Sequence, residues 1–244
     1  IRIGPVSVKS GCQSSADTTI VPLSGKLKKF LGIFSTKMSK LMTRDSDYFF
    51  IYPYFPLSTL FALQLRLKQL PSFWSAIQMD YCNADLRERQ WRLSTSEPLD
   101  EFSIIARELI PNHIPVVYLE GYKALTKFIS ELPWPRYPKA IITSNSYSKY
   151  DVFKAWTAKK TETGSVLTII QHGGHFGMNP WSFDEEHQIT IADNFLSWGW
   201  SDTTRPKITP IGNNRMIRQQ VKHDPNGGAL MVELIMSRYS NSLC

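Results

Sequence analysis

Two kinds of hydrophobic pattern alternate along the chain, one typical of buried strands and the other of amphipathic helices. Short apolar runs bounded by turn-forming residues predict buried strands at residues 47–53, 139–143 and 165–171. Apolar positions at helical spacing predict helices at residues 26–41, 60–70, 99–109, 118–132 and 151–160. Strands that alternate with helices predict an α/β fold, in which a parallel sheet is flanked by helices.

The stretch from residue 139 to residue 171 is the clearest unit of this kind. Its two apolar runs are separated by a helix with Val152, Phe153 and Trp156 on one face, and Gly164 follows that helix. Strand, helix and strand together occupy about 30 residues, the usual size of a β-α-β unit with parallel strands. We therefore expect a parallel sheet in which both strands are buried.

Three further predictions rest on weaker signals. Residues 73–96 carry two tryptophans and a charged cluster at 87–89, and we expect them to be helical and partly exposed. Pro111 is expected to end the helix at residues 99–109. The apolar stripe at residues 26–41 is interspersed with lysines, so this helix could face either the protein core or an anionic membrane surface.

The composition is that of a folded protein with an excess of positive charge. Hydrophobic residues make up 42% of the chain and charged residues 20%, and the formal net charge is +7. This charge favours an anionic partner, either a phosphate-bearing small substrate or an anionic membrane surface, although it also serves solubility. The sequence has no zinc-finger spacing, RNA-recognition signature or dense arginine tract, so we expect no nucleic-acid partner.

The cysteines and the hydropathy predict the compartment. Cys12, Cys82 and Cys244 are far apart and no pair has metal-ligand spacing, so neither disulfides nor a zinc site are expected. The sequence also lacks an apolar run of about 18 residues, which argues against a membrane span. Both observations predict a cytoplasmic protein, with at most peripheral contact with the inner membrane.

Shifts in composition divide the chain into three parts. We expect residues 1–205 to form the sheet domain and residues 206–228, which are polar and rich in glycine and asparagine, to form a linker. Residues 229–244 are expected to begin a second domain, with its first strand at Ala229–Met236. Because the chain starts with Ile1 rather than methionine and stops soon after an apolar run, we interpret it as a fragment of a longer protein.

The candidate chemistry lies in the segment that follows the strand at residues 165–171. This segment reads Gln171-His172-Gly173-Gly174-His175, and ligands of open α/β sheets bind beyond the carboxyl ends of the strands. We expect the two glycines to allow positive φ angles and close approach of a substrate. Either histidine could remove a proton from an acceptor hydroxyl near neutral pH, or both could merely satisfy the hydrogen bonds of a turn. Their spacing on a glycine-rich loop does not suit a metal site.

Other polar residues are expected near the same carboxyl ends of the strands. Ser144 and Asn145 end the preceding strand, and they suit a hydroxyl-rich or phosphate-bearing ligand, or else a simple turn. Glu185 and Glu186 could orient an imidazole or act as a base, although they also suit the solvated start of a helix. The aromatic string at residues 195–200 alternates as a strand would, which favours core packing of its tryptophans over stacking on a sugar.

Several strings of the chain resemble a family of transferases found in bacterial O-antigen and surface-carbohydrate clusters. The longest begins at Pro138, as PKAIITSNSYSKYDVFKAWTAKKTETGSVLTIIQHGGHFGMN, and continues through EEHQITIADNFLSWGWSD. The family's amino-terminal half is similar to IYPYFPLSTLFALQLRLKQLPSFW and IPVVYLEGYKAL. The likeness spans residues 47–240, and the Gln-His-Gly-Gly and Trp-Gly-Trp strings are its most specific parts.

The resemblance implies a pair of Rossmann-like domains of the glycosyltransferase-B type, facing each other across a cleft. A more distant similarity to capsule sugar transferases and to the CDP-glycerol polymerases of teichoic acid synthesis implies that His172, with Gly173 beside it, acts on the acceptor. The implied partners are a nucleotide-sugar donor, bound mainly by the second domain, and a carbohydrate or lipid-linked acceptor, with no further cofactor. A fragment without the second domain is expected to be inactive. Two alternatives stay open: transfer from a CDP-alcohol, and a non-catalytic module that docks at the membrane through the lysines of residues 26–40.

Overall fold

A parallel sheet of five strands forms the centre of the protein. The computed structural model describes residues 38–95, 100–179 and 181–217. The strands pair in the order of the chain, and each is parallel to its neighbour. They are β1 (Phe49–Ile51), β2 (Ala140–Thr143), β3 (Val166–Ile170), β4 (Asn194–Ser197) and β5 (Ile208–Pro210). This arrangement confirms the predicted α/β fold and fits a Rossmann-like description.

Helices connect the first four strands. They are α1 (Leu57–Arg66), α2 (Glu101–His113), α3 (Tyr122–Ser130), α4 (Ser146–Lys149), α5 (Asp151–Thr161) and α6 (Phe183–Ile191). The first three lie between β1 and β2 in the sequence, α4 and α5 lie between β2 and β3, and α6 precedes β4. Short 3₁₀ helices are found at Leu86–Arg89 and Val116–Tyr118.

The two faces of the sheet pack against different helices. On one face, Phe49 and Ile141 belong to a core cluster that includes residues of α3, α5 and α6. On the other face, Phe50 and Ile142 form a smaller cluster with Leu60 of α1. Successive residues of a strand point to opposite faces, so a sheet covered on both faces needs continuously apolar strands. This requirement explains why β1, β2 and β3 could be recognised as apolar runs.

An aromatic cluster around Phe49 anchors the loop that leads into β2. The ring centroid of Phe49 lies 4.9 Å from that of Trp156, 5.1 Å from that of Trp134 and 5.7 Å from that of Trp74. Aromatic pairs at such distances contribute about 0.5–1.5 kcal/mol each beyond their burial. Because Trp134 belongs to the proline-rich loop at residues 133–138, the cluster holds this loop against α5.

The prediction of a helix at residues 73–96 is wrong. In the described part of this stretch, the helical residues are the four of the 3₁₀ helix Leu86–Arg89. The preceding residues cross the surface in an irregular conformation, in which Ala76, Ile77 and Met79 pack against the main core. Tertiary contacts of an extended segment therefore override a weak helical pattern here.

The prediction that Pro111 ends a helix is also wrong, since α2 continues through Pro111 to His113. A proline in the last turn removes one backbone N–H donor but leaves the carbonyl groups free to accept. The Nη1 group of Arg89 donates to the carbonyl oxygens of Pro111, Asn112 and Ile114 at 3.0–3.2 Å. This guanidinium satisfies the carbonyl groups at the end of α2 and so stabilises the extra turn.

The sheet extends into the stretch predicted as a linker. Residues 208–210 form β5, which pairs with β4, and Ile208 is buried. A three-residue edge strand with one buried apolar side chain gives too weak a pattern to be recognised, and Pro210 is tolerated at its end. The predictions for residues 1–37, for the remainder of the linker from residue 218, and for a second domain at 229–244 lie outside the described residues.

Within residues 38–95, 100–179 and 181–217, no helix is both long enough and apolar enough to cross a lipid bilayer.

Candidate functional site

The carboxyl ends of the parallel strands bring polar side chains to one edge of the sheet. Tyr52 follows β1, Ser144 follows β2 and Gln171 follows β3. The backbone N–H of Gln171 donates to the carbonyl oxygen of Leu196 over 2.9 Å, which continues the pairing with β4 for one residue. His172 therefore leaves the sheet directly at the edge where ligands of open α/β sheets bind.

His172 is partly buried, and its environment lowers the pKa of the imidazole below its usual value. Burial is the main cause, and the negative charge of Asp184 opposes it. The nearby charges of Arg215 and His175 lower the pKa further, while a hydrogen bond with the backbone of Ser144 raises it slightly. The Nδ1 atom is buried and has no hydrogen-bond partner among the described residues. The neutral form of His172 is thus favoured, and one of its ring nitrogens has no protein partner within the part of the chain that the structure describes.

Gln171 holds the loop rather than facing the solvent. Its side chain is buried, and its Oε1 atom accepts hydrogen bonds from the backbone N–H of Trp198 and from the indole N–H of Trp200, at 2.7 and 2.9 Å. Its Nε2 group donates to the carbonyl oxygen of Gly173 over 2.7 Å. The amide predicted to bind substrate therefore joins the loop after β3 to the loop after β4.

The glycine that needs a positive φ angle is Gly177, not Gly173 or Gly174 as the sequence suggested. Gly177 has a φ of 77°, and a Cβ atom there would lie 2.8 Å from the indole ring of Trp200. A Cβ atom at Gly173 would lie 3.1 Å from the ring of His175, whereas one at Gly174 would meet open space. Gly174 is thus the position where a ligand can approach the backbone without displacing a protein group.

Phe176 anchors this loop in the protein. Its side chain is buried, and its ring centroid lies 5.3 Å from that of His172 and 4.1 Å from that of His175. His175 itself is exposed. The two histidines therefore share one buried aromatic neighbour, and His175 faces the solvent beside His172.

Among the acidic residues at the start of α6, the one whose negative charge raises the pKa of His172 is Asp184, whereas the sequence favours its two neighbours for this role. Glu185 accepts a hydrogen bond from the backbone N–H of Gly177 over 2.7 Å. Glu186 forms an exposed ion pair with Arg205 at 2.6 Å. All three acidic residues lie in the first turn of α6, and Asp184 also accepts a hydrogen bond from the hydroxyl group of Tyr147 over 3.3 Å.

Unpartnered hydroxyl groups also gather at the end of β2. Ser144 and Ser146 are fully buried, and neither Oγ atom has a hydrogen-bond partner among the described residues. Asn145 lies between them, and its Nδ2 group donates to the hydroxyl oxygen of Tyr54 over 2.5 Å. Buried polar atoms without partners are rare in folded proteins, and a water molecule or a ligand can supply the missing partner.

Tyr52 and Tyr54 form a strained turn at the end of β1. Both have positive φ angles, 45° and 58°, in the left-handed region that residues other than glycine seldom adopt. Such strain concentrates at functional sites, where the surrounding structure imposes it. The rule that places ligands beyond the ends of parallel strands could have pointed to these tyrosines, because they follow the predicted strand at residues 47–53.

The chain after β5 returns over this edge and adds a cation that the sequence did not reveal. The guanidinium carbon of Arg215 lies 4.1 Å from the ring centroid of Tyr54, a cation–π contact. Asn214 is buried, donates to the carbonyl oxygen of Pro53 over 2.8 Å and accepts from the indole N–H of Trp198 over 2.9 Å. Arg215 could not be found from the pattern, because its position depends on the unrecognised strand β5.

The tryptophans after β4 do not form a strand as predicted. The strand ends at Ser197, and Gly199 has a φ of 119°, so the chain turns between Trp198 and Trp200. Both indole N–H groups donate within the protein, and Trp200 also packs against Phe195 with ring centroids 5.9 Å apart. The Trp-Gly-Trp string therefore fixes the loops around His172 through hydrogen bonds.

The described residues thus form an α/β protein in which a partly buried imidazole, an arginine and unpartnered hydroxyl groups lie at the carboxyl edge of a parallel sheet. A family model described as LIC12162 family transferase matches residues 9–244, and the chain belongs to this family. A search among curated proteins gave no match, and neither did a search among solved structures. The family assigns the chain to the transferases.

Proposed function

We propose that this protein transfers a sugar from a nucleotide-activated donor to a hydroxyl group of a carbohydrate or lipid-linked acceptor in the synthesis of a bacterial surface polysaccharide such as O-antigen. The observation that carries the proposal is the position of His172 directly after β3, at the carboxyl edge of the sheet, where burial favours the neutral form of the imidazole. Membership of a transferase family supports a group-transfer reaction, and the resemblance to surface-carbohydrate transferases supports a sugar as the transferred group.

His172 acts as the general base in this proposal. It accepts the proton of the acceptor hydroxyl while the acceptor oxygen attacks the anomeric carbon of the donor sugar. The bond from that carbon to the donor phosphate breaks, and the nucleotide leaves with the bonding electrons. A general base contributes about 10²–10⁴-fold to such a reaction, provided that it is unprotonated at the working pH. Burial of His172 satisfies this condition at neutral pH.

Two charged residues assist in complementary ways. The negative charge of Asp184 stabilises the imidazolium that forms when His172 takes the proton, whereas the sequence predicts Glu185 or Glu186 in this role. The guanidinium of Arg215 offsets negative charge on the departing phosphate, since arginine suits phosphate recognition. The contact of Arg215 with the ring of Tyr54 restricts the conformations that the arginine side chain adopts before the substrate binds.

The donor can be identified by calorimetry on the intact protein with UDP-, GDP- and CMP-sugars and with CDP-glycerol. Transfer is then followed by nucleotide release in the presence of extracted lipid-linked saccharides. His172→Ala should lower turnover at least about 100-fold and leave donor binding unchanged. His113→Ala is the matched control, because His113 is an exposed histidine at the end of α2.

Three outcomes would count against the proposal. Wild-type turnover in His172→Ala would show that His172 is not the general base. Equal losses of turnover in His172→Ala and His113→Ala would point to a non-specific effect. Binding and transfer from CDP-glycerol, without activity on any nucleotide-sugar, would establish transfer of a phosphoalcohol instead.

A further inference from the structure

A concave surface lies at the opposite edge of the sheet, where the strands begin. It encloses about 600 Å³ and is lined by the loop before β2, the end of α3, the end of α5 and the segment that leads to β1. His172 and the other residues of the candidate site follow the strands and so lie at the other edge. The surface at the amino edge is therefore separate from the proposed catalytic site.

Hydrogen bonds and aromatic packing fix the wall of this cavity. The backbone N–H of Arg136 donates to the side chain of Asp45 over 3.2 Å, and the N–H of Tyr137 donates to the carbonyl oxygen of Asp45 over 2.9 Å. Trp134 is buried, and its ring centroid lies 5.0 Å from that of Trp156. The loop that carries Arg136 is thus held in a defined conformation.

Four cations line the cavity: Lys40, Arg136, Lys159 and Lys160. Within the described residues none of the four has a salt bridge or a side-chain hydrogen bond, although Arg44, Arg87, Arg89, Lys154 and Arg205 all do. Two carboxylates, Asp45 and Glu131, line the cavity as well, and one of them already accepts the N–H of Arg136. The cations outnumber the carboxylates, so the cavity has an excess of positive charge.

Lys160 is the most confined of these cations. Its Nζ atom lies 5.9 Å from the ring centroid of Tyr137 and 6.0 Å from that of Trp156. Burial lowers the pKa of Lys160, and the charges of Lys159 and Arg136 lower it further against the opposing charge of Asp45. Like charges gathered in a partly enclosed space repel one another, and a bound anion relieves this repulsion.

The position of Lys159 and Lys160 at the end of α5 is favourable in itself, because the carbonyl groups of a helix end attract cations. This preference does not account for Lys40 and Arg136, which belong to two other segments of the chain and line the same cavity. Convergence of cations from separate elements on one concave surface is the arrangement that binds phosphate groups, and arginine in particular suits the geometry of phosphate oxygens.

We propose that this cavity, defined by Lys40, Arg136, Lys159 and Lys160, binds a phosphate or diphosphate group of a ligand other than the transferase substrates. The exposed ring of Tyr137 forms part of its wall and offers a flat surface to the rest of the ligand. The proposal does not depend on glycosyl transfer. The phosphate group belongs either to a soluble compound or to an anionic lipid head group, and these two sources differ in the experiment that detects them.

The test uses the intact protein with two probes at low ionic strength. Calorimetry with inorganic pyrophosphate detects a soluble phosphate ligand, and co-sedimentation with phosphatidylglycerol vesicles, compared with phosphatidylcholine vesicles, detects a lipid head group. The test variant combines Arg136→Gln with Lys160→Gln. The control combines Lys123→Gln with Lys127→Gln, which removes the same charge from exposed positions of α3 outside the cavity lining.

We expect saturable binding of at least one probe, weakened at least tenfold by the test variant and unchanged by the control. A binding constant that falls as salt is raised would agree with a contact between ions. Lys40→Gln serves as an independent variant, since its exposed side chain is not needed for the core, and it should also weaken binding. The proposal is overturned if neither probe binds, or if the test and control variants lose binding equally.

Discussion

The indole N–H of Trp200 donates a 2.9 Å hydrogen bond to the side-chain oxygen of Gln171, and this bond joins the loop after β4 to the end of β3. Gln171 immediately precedes His172. The backbone N–H of Trp198 donates to the same oxygen, so one buried amide fixes both ends of the Trp-Gly-Trp string. The two most specific strings of the family resemblance are therefore parts of a single hydrogen-bonded structure that positions the imidazole.

Replacing this amide by an apolar group of similar size should destabilise the protein. Gln171→Leu leaves two donors, the N–H of Trp198 and the indole N–H of Trp200, without their acceptor. An unpaired buried donor costs about 1–3 kcal/mol, so we expect a loss of a few kcal/mol in the free energy of unfolding. Denaturant titration measures it. Gln78→Leu, at an exposed position, is the control and should change stability little; equal effects would contradict the assigned role.

The loop glycines should differ in their tolerance of a methyl group. Gly177→Ala forces a Cβ atom to within 2.8 Å of the indole ring of Trp200 at a φ of 77°, so thermal unfolding should occur at a lower temperature. Gly174→Ala places its methyl group in open space and should leave the unfolding temperature nearly unchanged. If the substrate approaches the backbone at Gly174, this second variant should still lose activity. Similar melting curves for both variants would contradict the structure of the loop.

How much of the fold the sequence predicts depends on where each strand lies. β2 and β3 are central strands, buried on both faces, and their apolar runs were recognised to within a residue or two. β5 is an edge strand with one buried side chain, and no local pattern distinguishes it from a loop. The irregular segment after α1 differs from the predicted helix for a related reason, since it is held by contacts with distant parts of the core.

The residues of the candidate functional site can likewise be predicted from the sequence only in part. His172 could be placed from sequence alone, because it follows a recognisable strand and the edge rule then applies. Arg215 could not, because it reaches the edge only through β5 and through the hydrogen bonds of Asn214 to Pro53 and Trp198. The choice of Asp184 over Glu185 depends on the orientation of α6, which neighbouring residues in a sequence do not reveal.

The ion pair between Arg89 and Glu120 should be important for stability. Both side chains are 5% exposed, and Arg89 Nε lies 2.7 Å from Glu120 Oε1. Arg89→Met leaves a carboxylate buried without its partner and removes the donor for three carbonyl groups, so the unfolding temperature should fall markedly. Arg87→Met is the matched control, because the side chain of Arg87 is 86% exposed and its pair with Asp85 is at the surface.

The same ion pair predicts that the stability of the protein depends on pH. The hydrogen bond with Arg89 lowers the pKa of Glu120 from 4.5 to about 2. A carboxyl group whose pKa is lower in the folded protein contributes stability above its usual pKa, and this contribution is lost as the pH falls through the lowered value. Glu120→Gln should therefore flatten the decline of unfolding temperature between about pH 4.5 and about pH 2. An unchanged pH profile would show that another group is responsible.

The charges around His172 should move its pKa in opposite directions. Asp184 raises the pKa of the imidazole and Arg215 lowers it. Asp184→Asn should therefore shift the titration of His172 to lower pH, and Arg215→Gln should shift it to higher pH. NMR titration of the imidazole signals measures both shifts, and His172→Gln assigns the signal. Lys207→Gln is a control, since Lys207 donates to the backbone carbonyl groups of Thr190 and Ala192 at the end of α6 and is not among the charges that act on His172.

The rate of transfer should follow these titrations if His172 is the base. Only the neutral imidazole accepts a proton, so turnover should rise as the pH increases through the pKa of His172 and then level off. The rising limb should move to lower pH in Asp184→Asn and to higher pH in Arg215→Gln, in step with the NMR titrations. A loss of rate in Arg215→Gln that persists above the limb would agree with its separate contact with the leaving phosphate. If the substitutions shift the pKa of His172 measured by NMR but do not shift the rising limb of the pH–rate profile, a different group removes the proton. His172 would then contribute only to the structure of the site.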